Sequence, residues 1–412
     1  MPTSRHDVVI VGAGQAGLAM SRCLSRRDID HVILERDEVA SAWVHQRWDS
    51  LRLLTPNWMT RLPDADPLDR PRDGFAPASD VAQHLRRYAS AIDAPVVSGC
   101  AVERIEPDAV GWRLSTSAGP IRTRAVVLAT GPGTTPRIPA AASGLSASLR
   151  TISALEYKNP GAIEDGGVLV VGASASGTQI ADELARAGRS VVLAVGEHVR
   201  AVRSYRGRDL YWWLDRTGLL DERYDTVDDI RRVRATPSFQ LVGSDDGRSV
   251  DLEALQTSGV QLAGRLVGSD RERAVFSGSL ANACASADLK LERLLSQFDQ
   301  FASEHRLDGL TDPWRPERTT VPEPRLEVRT AALRTVIWAT GHAPTFPDIG
   351  APVFDRLGRL EHDGGVVGAT GLYVLGLPFL RRRRSSFIDG AGADAEALAE
   401  RIDAHLAKRN VA

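Results

Sequence analysis

The sequence predicts an α/β fold of two doubly wound, three-layer domains, the second inserted into the first. Three observations carry that prediction. A glycine-rich fingerprint, DVVIVGAGQAGLAMSRCL, places Gly12, Gly14 and Gly17 after an apolar run that reads as a buried strand. A second, GGVLVVGASASGTQIADEL, has Gly172 and Gly177 at the outer glycine positions and Ser174 at the middle one. Finally, an apolar run closing on Ala-Thr-Gly occurs twice, AVVLATGPGTTPRIP from residue 125 and TVIWATGHAPTFPDI from residue 335, and the pair brackets the second fingerprint. Repetition of that phrase suggests that the stretch 166–330 interrupts a first domain which resumes near residue 335.

Each fingerprint lies between a strand pattern and a helical pattern, the context the motif needs. The first glycine permits a tight turn, the second lets the backbone approach a pyrophosphate, and the third allows close strand–helix packing. The pyrophosphate then sits at the helix N-terminus, as in Rossmann-like domains. Two such units argue for two dinucleotides on one polypeptide, and hence for redox chemistry.

Composition bounds the rest. A chain of 412 residues exceeds one compact core, so two domains are expected. With 43% hydrophobic and 25% charged residues and a net charge of −2, it reads as a globular protein with no bias toward nucleic acid. The N-terminus enters a strand pattern at once, and no apolar run reaches the roughly 18 residues of a membrane span, so neither a signal peptide nor a membrane is expected. Cys23, Cys100 and Cys284 are far apart, which argues against disulfides, a zinc site or a dithiol centre. No metal is expected. A reduced, cytoplasmic enzyme fits.

Taken in order, residues 7–35 read as strand, helix, strand. Glu35 falls roughly twenty residues after Gly12, where an acid accepts the hydroxyls of an adenosine ribose. A carboxylate there repels a 2′-phosphate, so the first site suits FAD or NAD and not NADP. Residues 79–94 read as an amphipathic helix with Val81, Leu85, Tyr88 and Ile92 on one face. Strand patterns follow at 96–105, 111–117 and 121–129. Residues 166–196 carry the second strand–helix–strand unit. The stretch 203–240 is rich in Arg and aromatics, a strand pattern spans 259–278, and 279–306 reads as a long helix. Residues 312–324 are Pro-rich and read as an extended connector. A helix closes the chain.

On these residues the chain resembles the class B flavin-dependent monooxygenases, on the flavin-containing monooxygenase and YUCCA branch. The match runs through VGAGQAG with Glu35, the stretch SAWVHQRWDSLRLLTPNWMTRLP at 41–63, LATG at 128–131, EYKNP at 156–160, VVGASASG at 170–177 and WATG at 338–341. Residues 210–325 match least. The resemblance implies a FAD domain over 1–155 and 330–412, and an NADPH domain over 156–329 that carries a helical insertion at about 203–325. It also implies that the 41–63 stretch covers the flavin ring, with Trp43, Trp48, Leu54 and Thr55 at the matching positions. Ordinary core packing is the alternative for each Trp. Thr130, Gly131, Thr340 and Gly341 of the two Ala-Thr-Gly phrases join the cofactor residues, as do Gly172, Ser174, Ser176 and Gly177 for the second pyrophosphate.

Relatives often carry Arg where the strand VVLAV runs into Gly196; here His198, Arg200 and Arg203 follow, with Arg200 and Arg203 expected to read a 2′-phosphate. NADPH is expected, and NADH stays open. Asp389 stands before the last helix, whose N-terminus would face the flavin pyrimidine, with Arg381–Arg384 adding positive charge or simply facing solvent. Two departures stand out. Tyr157 is kept, but Ser153 occupies the position of a family His and Leu149 that of a Gly. An Asn beside the reactive flavin carbon in animal-type members has no secure counterpart, since Asn57 aligns less well there than Leu54.

The implied reaction is hydride transfer from NADPH to FAD, addition of dioxygen to give a C4a-(hydro)peroxyflavin, and insertion of one oxygen atom into a small organic substrate. No catalytic acid or base is assigned. Nitrogen or sulfur oxygenation, Baeyer–Villiger insertion and oxidative decarboxylation share this framework. An NAD(P)H oxidase or reductase without oxygen insertion, and a non-catalytic nucleotide sensor, are the alternatives. A homodimer stays open, the aromatic insertion being expected to cap the substrate side of the flavin.

Overall fold

A computed structural model describes residues 4–133, 135–244 and 246–408. The first fingerprint forms β1 (Ser4–Val11), α1 (Gln15–Ser25) and β2 (His31–Leu34). Val8, Val9 and Ile10 are fully buried, because a central parallel strand is covered on both faces and therefore reads as an unbroken apolar run. β1 lies parallel between β2 and the strand Ile121–Leu128, with Val11 level with both Leu34 and Leu128. Around this trio grows a ten-stranded sheet. Val102–Asp108 and Gly111–Thr116 attach antiparallel beside Ile121–Leu128, and Leu372–Val374 pairs parallel with its C-terminal half.

The second fingerprint repeats the device as β3 (Gly167–Val171), α2 (Ala175–Arg186) and β4 (Val191–Ala194). With β5 (Gln261–Ala263) these strands form a five-stranded sheet in the order β5, β4, β3, Leu333–Trp338, Arg150–Ser153, every pair parallel. Expected helices are present: Ala78–Ala91, α3 (Leu280–Glu304) and α4 (Gly390–Lys408). α4 packs along α1, with Ala395, Leu398, Ala399 and Ile402 buried, and Arg27 pairs with Glu396 at 2.6 Å.

The domain boundaries need correction. The expectation assigned 330–412 wholly to the first half, yet Leu333–Trp338 lies inside the second sheet, beside β3. Arg150–Ser153, expected in the first half as part of 1–155, is likewise that sheet's edge strand. The physical reason is a repeated arrangement. In each half the fingerprint strand is flanked by the strand that ends in Ala-Thr-Gly, so each Ala-Thr-Gly closes its own sheet. The chain crosses between halves just after each of these phrases. There Thr135–Pro136 pairs antiparallel with His342–Ala343, Arg137 N–H donates to Gly341 O at 3.0 Å, and Thr130 Oγ1 donates to Thr345 O at 2.9 Å. No helix among the described residues is long and apolar enough to cross a membrane.

Candidate functional site

The start of α1 forms the first cradle. Gly12 has φ +110°, and a Cβ there would press against the Ala129 carbonyl, the floor supplied by the first Ala-Thr-Gly. A Cβ on Gly17 would collide with the Gly12 carbonyl, so that glycine sets the strand–helix distance. Gly14 differs: nothing lies within 4 Å of where its Cβ would stand. It is the N-cap of α1, supplies no side-chain cap, and the first intrahelical bond runs from Leu18 N–H to Gly14 O at 3.0 Å. Uncapped helix amides facing open space suit an anion that brings its own oxygens. Glu35 is nearly buried at the end of β2, where its carboxylate accepts Ala13 N–H at 2.8 Å and Asp37 N–H at 3.1 Å. Both contacts fix its position and leave lone pairs for ribose hydroxyls. Trp43 points its indole N–H at Gln15 Oε1, 3.4 Å away in the first turn of α1.

The second cradle has the same build. Gly172, at φ +106°, is backed by the Ala339 carbonyl, and a Cβ on Gly177 would collide with the Gly172 carbonyl. Ser174 is the N-cap of α2 without a side-chain bond to the helix, and Ser176 lies half-buried in the first turn. Gln240 was missed by sequence reasoning. Its amide N–H donates to Ala173 O at 2.7 Å, fixing the fingerprint loop from the insertion, while Gln179 holds Leu241 O at 2.9 Å. A lone Gln at the end of an Arg-rich stretch matches no motif.

Several expected residues are placed elsewhere. Arg200 is buried and bound to Asp251 (2.9 Å), Asp288 (2.8 Å) and the Glu317 carbonyl (2.7 Å). Arg203 is buried against Asp209 (2.5 Å), the Leu54 carbonyl (2.8 Å) and the Phe75 ring. Both guanidiniums are neutralised internally, which corrects their assignment to a 2′-phosphate. Trp48 is buried in the core of the second half with Tyr157 and Ile180, which corrects its assignment to the flavin cover. Asp389 closes on Arg384 at 3.0 Å and lines a cavity with Cys23 and Arg26, beside the later turns of α1 and not its start. That corrects its expected role; burial pushes its carboxyl up to about 6 despite the arginine. Asn57 uses its whole amide on Pro71 O and Ala76 N–H. Ser153 donates to Glu156 at 2.7 Å, closing the turn before Tyr157. The threonines of the Ala-Thr-Gly phrases bond across the linkers, Thr130 to Thr345 O and Thr340 to Arg137 O.

The insertion lies over the 54–59 segment. Trp213 is fully buried, donates to Tyr205 O at 2.8 Å and stacks on Phe298 of α3 at 5.3 Å. Met59 belongs to the same cluster, with Leu54 and Trp58 packed against it; Thr55 is half-buried beside them. Trp212 is half-buried between Arg208 and Arg216. Arg384 clamps the insertion down through Asp215 at 2.5 Å and Asp221 at 2.9 Å, so the 381–384 run is no mere solvated face. A cleft of about 500 Å³ opens between the halves, lined by Trp48, Arg52, Gln179, Asp182 and Gly243. Where the linkers meet, Arg47 stacks over Trp43 at 5.1 Å, and burial lowers its basicity. His342 lies close to Arg47 and Arg137; burial first, then these charges, hold its imidazole neutral at lower pH than usual.

A family model described as pyridine nucleotide-disulphide oxidoreductase matches residues 9–212. An uncharacterised CzcO-like oxidoreductase of Geobacillus kaustophilus is 29% identical, over 97% of this chain and 99% of that protein. Indole-3-pyruvate monooxygenase YUCCA1 of Oryza sativa is 31% identical, over 47% of this chain and 48% of that protein. The solved structure of a flavin-containing monooxygenase from Stenotrophomonas maltophilia superposes with a TM-score of 0.68 at 18% identity, covering 98% of this chain and 100% of that one.

Proposed function

We propose that the chain is a class B flavin-dependent monooxygenase that binds FAD in the first cradle and NADPH in the second, and inserts one oxygen atom of O2 into a small organic substrate, a reading its resemblance to indole-3-pyruvate monooxygenase YUCCA1 supports. The observation that carries this reading is the duplicated cradle: two uncapped helix starts, each backed by its own Ala-Thr-Gly floor, in one chain. Gly14 leaves the space a pyrophosphate fills, and Glu35 accepts the ribose hydroxyls. When bound, the flavin would take hydride from the nicotinamide and activate dioxygen.

The protein contributes position, dryness and charge. The amides at the starts of α1 and α2 hold the two pyrophosphates. Trp43, Leu54 and Thr55 cover the flavin, and the insertion above Leu54 and Met59 keeps water from the reacting face. Arg47, beside His342 and Arg137, supplies positive potential at the junction of the two cradles, where reduction builds negative charge. No side chain here is assigned as acid or base.

The test is direct. Purified protein should be yellow, consume NADPH and O2, and add 16 mass units to members of a panel of amines, thioethers, ketones and 2-oxo acids, a 2-oxo acid reporting instead as its decarboxylated product. NADPH oxidation that yields only hydrogen peroxide across the panel would support an oxidase and overturn oxygen insertion.

A further inference from the structure

We propose that Arg265, two residues past the end of the strand beside the second cradle, is the residue that tells a 2′-phosphorylated coenzyme from its unphosphorylated form. The inference rests on the second cradle holding a nicotinamide dinucleotide, as proposed above. The two cradles share one register. Gly12 N–H donates to Leu34 O at 2.9 Å and Gly172 N–H donates to Ala194 O at 3.0 Å. The residue after Leu34 is Glu35, and the residue after Ala194 is Val195, buried to 1% exposure. The second cradle therefore lacks the carboxylate that would accept a 2′-hydroxyl and repel a 2′-phosphate.

The residues next along the chain supply no free cation. Gly196 has no side chain, Glu197 reaches outward to Lys290 at 3.3 Å, buried His198 faces the Gly196 carbonyl at 3.0 Å, and Arg200 is saturated by Asp251 and Asp288. β5 pairs in parallel with β4, Ala263 level with Ala194, and Val195 N–H donates to Ala263 O at 2.9 Å. Two residues on, Arg265 stands level with Gly196. A methyl group placed on Gly196 would be 3.8 Å from Arg265 Cγ, so the arginine stem runs over the glycine. Its backbone is anchored by Ser277 N–H donating to Arg265 O at 2.9 Å. The side chain is exposed, and among the described residues its guanidinium has no hydrogen bond or ion pair. A fixed stem, a free guanidinium and no neighbouring acid at the ribose position form a monophosphate reader contributed by the segment that follows the adjacent strand.

The experiment is calorimetric titration of the flavin-loaded protein with adenosine 2′,5′-bisphosphate and with 5′-AMP. Arg265→Ala should weaken the bisphosphate by about tenfold, the worth of one charge-assisted contact, and leave 5′-AMP unchanged, which also certifies the fold. Arg265→Lys should recover part of the loss, and Arg265→Glu should abolish the preference. An equal loss for both ligands, or none for either, overturns the role of Arg265. If the unmodified protein binds neither ligand, the reading of the second cradle falls, and Arg265 with it. Binding of both with Arg265→Ala unaffected sinks only the arginine.

Discussion

Replacing Arg200 with Ala separates two roles that the sequence could not. The guanidinium is 7% exposed and holds Asp251 and Asp288, whose side chains are 15% and 13% exposed. Both carboxylates also brace backbone: Asp251 accepts Ala254 N–H at 3.1 Å to cap Leu252–Thr257, and Asp288 accepts Thr319 N–H at 3.0 Å to tie the extended connector to α3. Without the cation, two carboxylates face each other in a poorly hydrated site. Breaking a buried pair from one side costs about 3–5 kcal/mol. For a unit of about 200 residues at roughly 2–4 °C per kcal/mol, the transition should fall by roughly 6–20 °C. Thermal melting followed by tryptophan emission reads this, and nucleotide titration well below the transition should show unchanged affinity for adenosine 2′,5′-bisphosphate. Arg200→Ala combined with Asp288→Asn should recover part of the loss, since one carboxylate is then neutral. A variant that melts with the parent but loses affinity for the bisphosphate would refute the argument, because the arginine would then face phosphate and not aspartate.

Gly14→Val should fold, since nothing lies within 4 Å of its Cβ, yet purify without flavin; a full flavin complement measured by absorbance would place the first site elsewhere. Gly177→Val should fail to give folded protein by circular dichroism and not merely lose NADPH reduction, because its Cβ meets the Gly172 carbonyl; a yellow, folded variant would contradict the packing. Trp213→Ala should destabilise by about 3–5 kcal/mol in denaturant titration, whereas half-buried Trp212→Ala should cost much less and raise peroxide release per NADPH; equal stability losses would argue against the stacked core position of Trp213. Asp389, held up to about 6 by burial, keeps its proton in the folded state to higher pH than in the unfolded chain. Stability should therefore fall as pH rises from about 4 to 6, by up to about 3 kcal/mol, and Asp389→Asn should remove that slope in melts across the range.

Both cradles were legible because their logic is local. Gly12, Gly14 and Glu35 sit at fixed offsets from one strand, and the backbone needs those residue types there. The second Ala-Thr-Gly was seen as a repeat but misassigned, since nothing in TVIWATG says which sheet a parallel strand joins; the floor under Gly172 decides it. Arg200 and Arg203 were misread for a different reason. Arg200's partners Asp251 and Asp288 lie far along the chain, while Arg203 turns inward onto nearby Asp209 and the distant Leu54 carbonyl, and a one-dimensional reading cannot show that a cation is already neutralised. Trp48 failed similarly: a Trp suited to a flavin is equally suited to an apolar core, and contacts with Tyr157 and Ile180 settle the matter. Gln240 and Arg265 carried no motif, because each acts through register with a neighbouring segment.

The side-by-side linkers have an engineering consequence. The chain enters the second half at Arg137 and leaves it at Gly341, and these two are hydrogen-bonded neighbours. Entry and exit are thus separated by about one strand spacing, roughly 5 Å, which a two-residue turn closes. The second half therefore has adjacent ends, so exchanging it need not stretch the backbone of the first half, although a replacement must supply a core for Trp48 and a partner for Arg384.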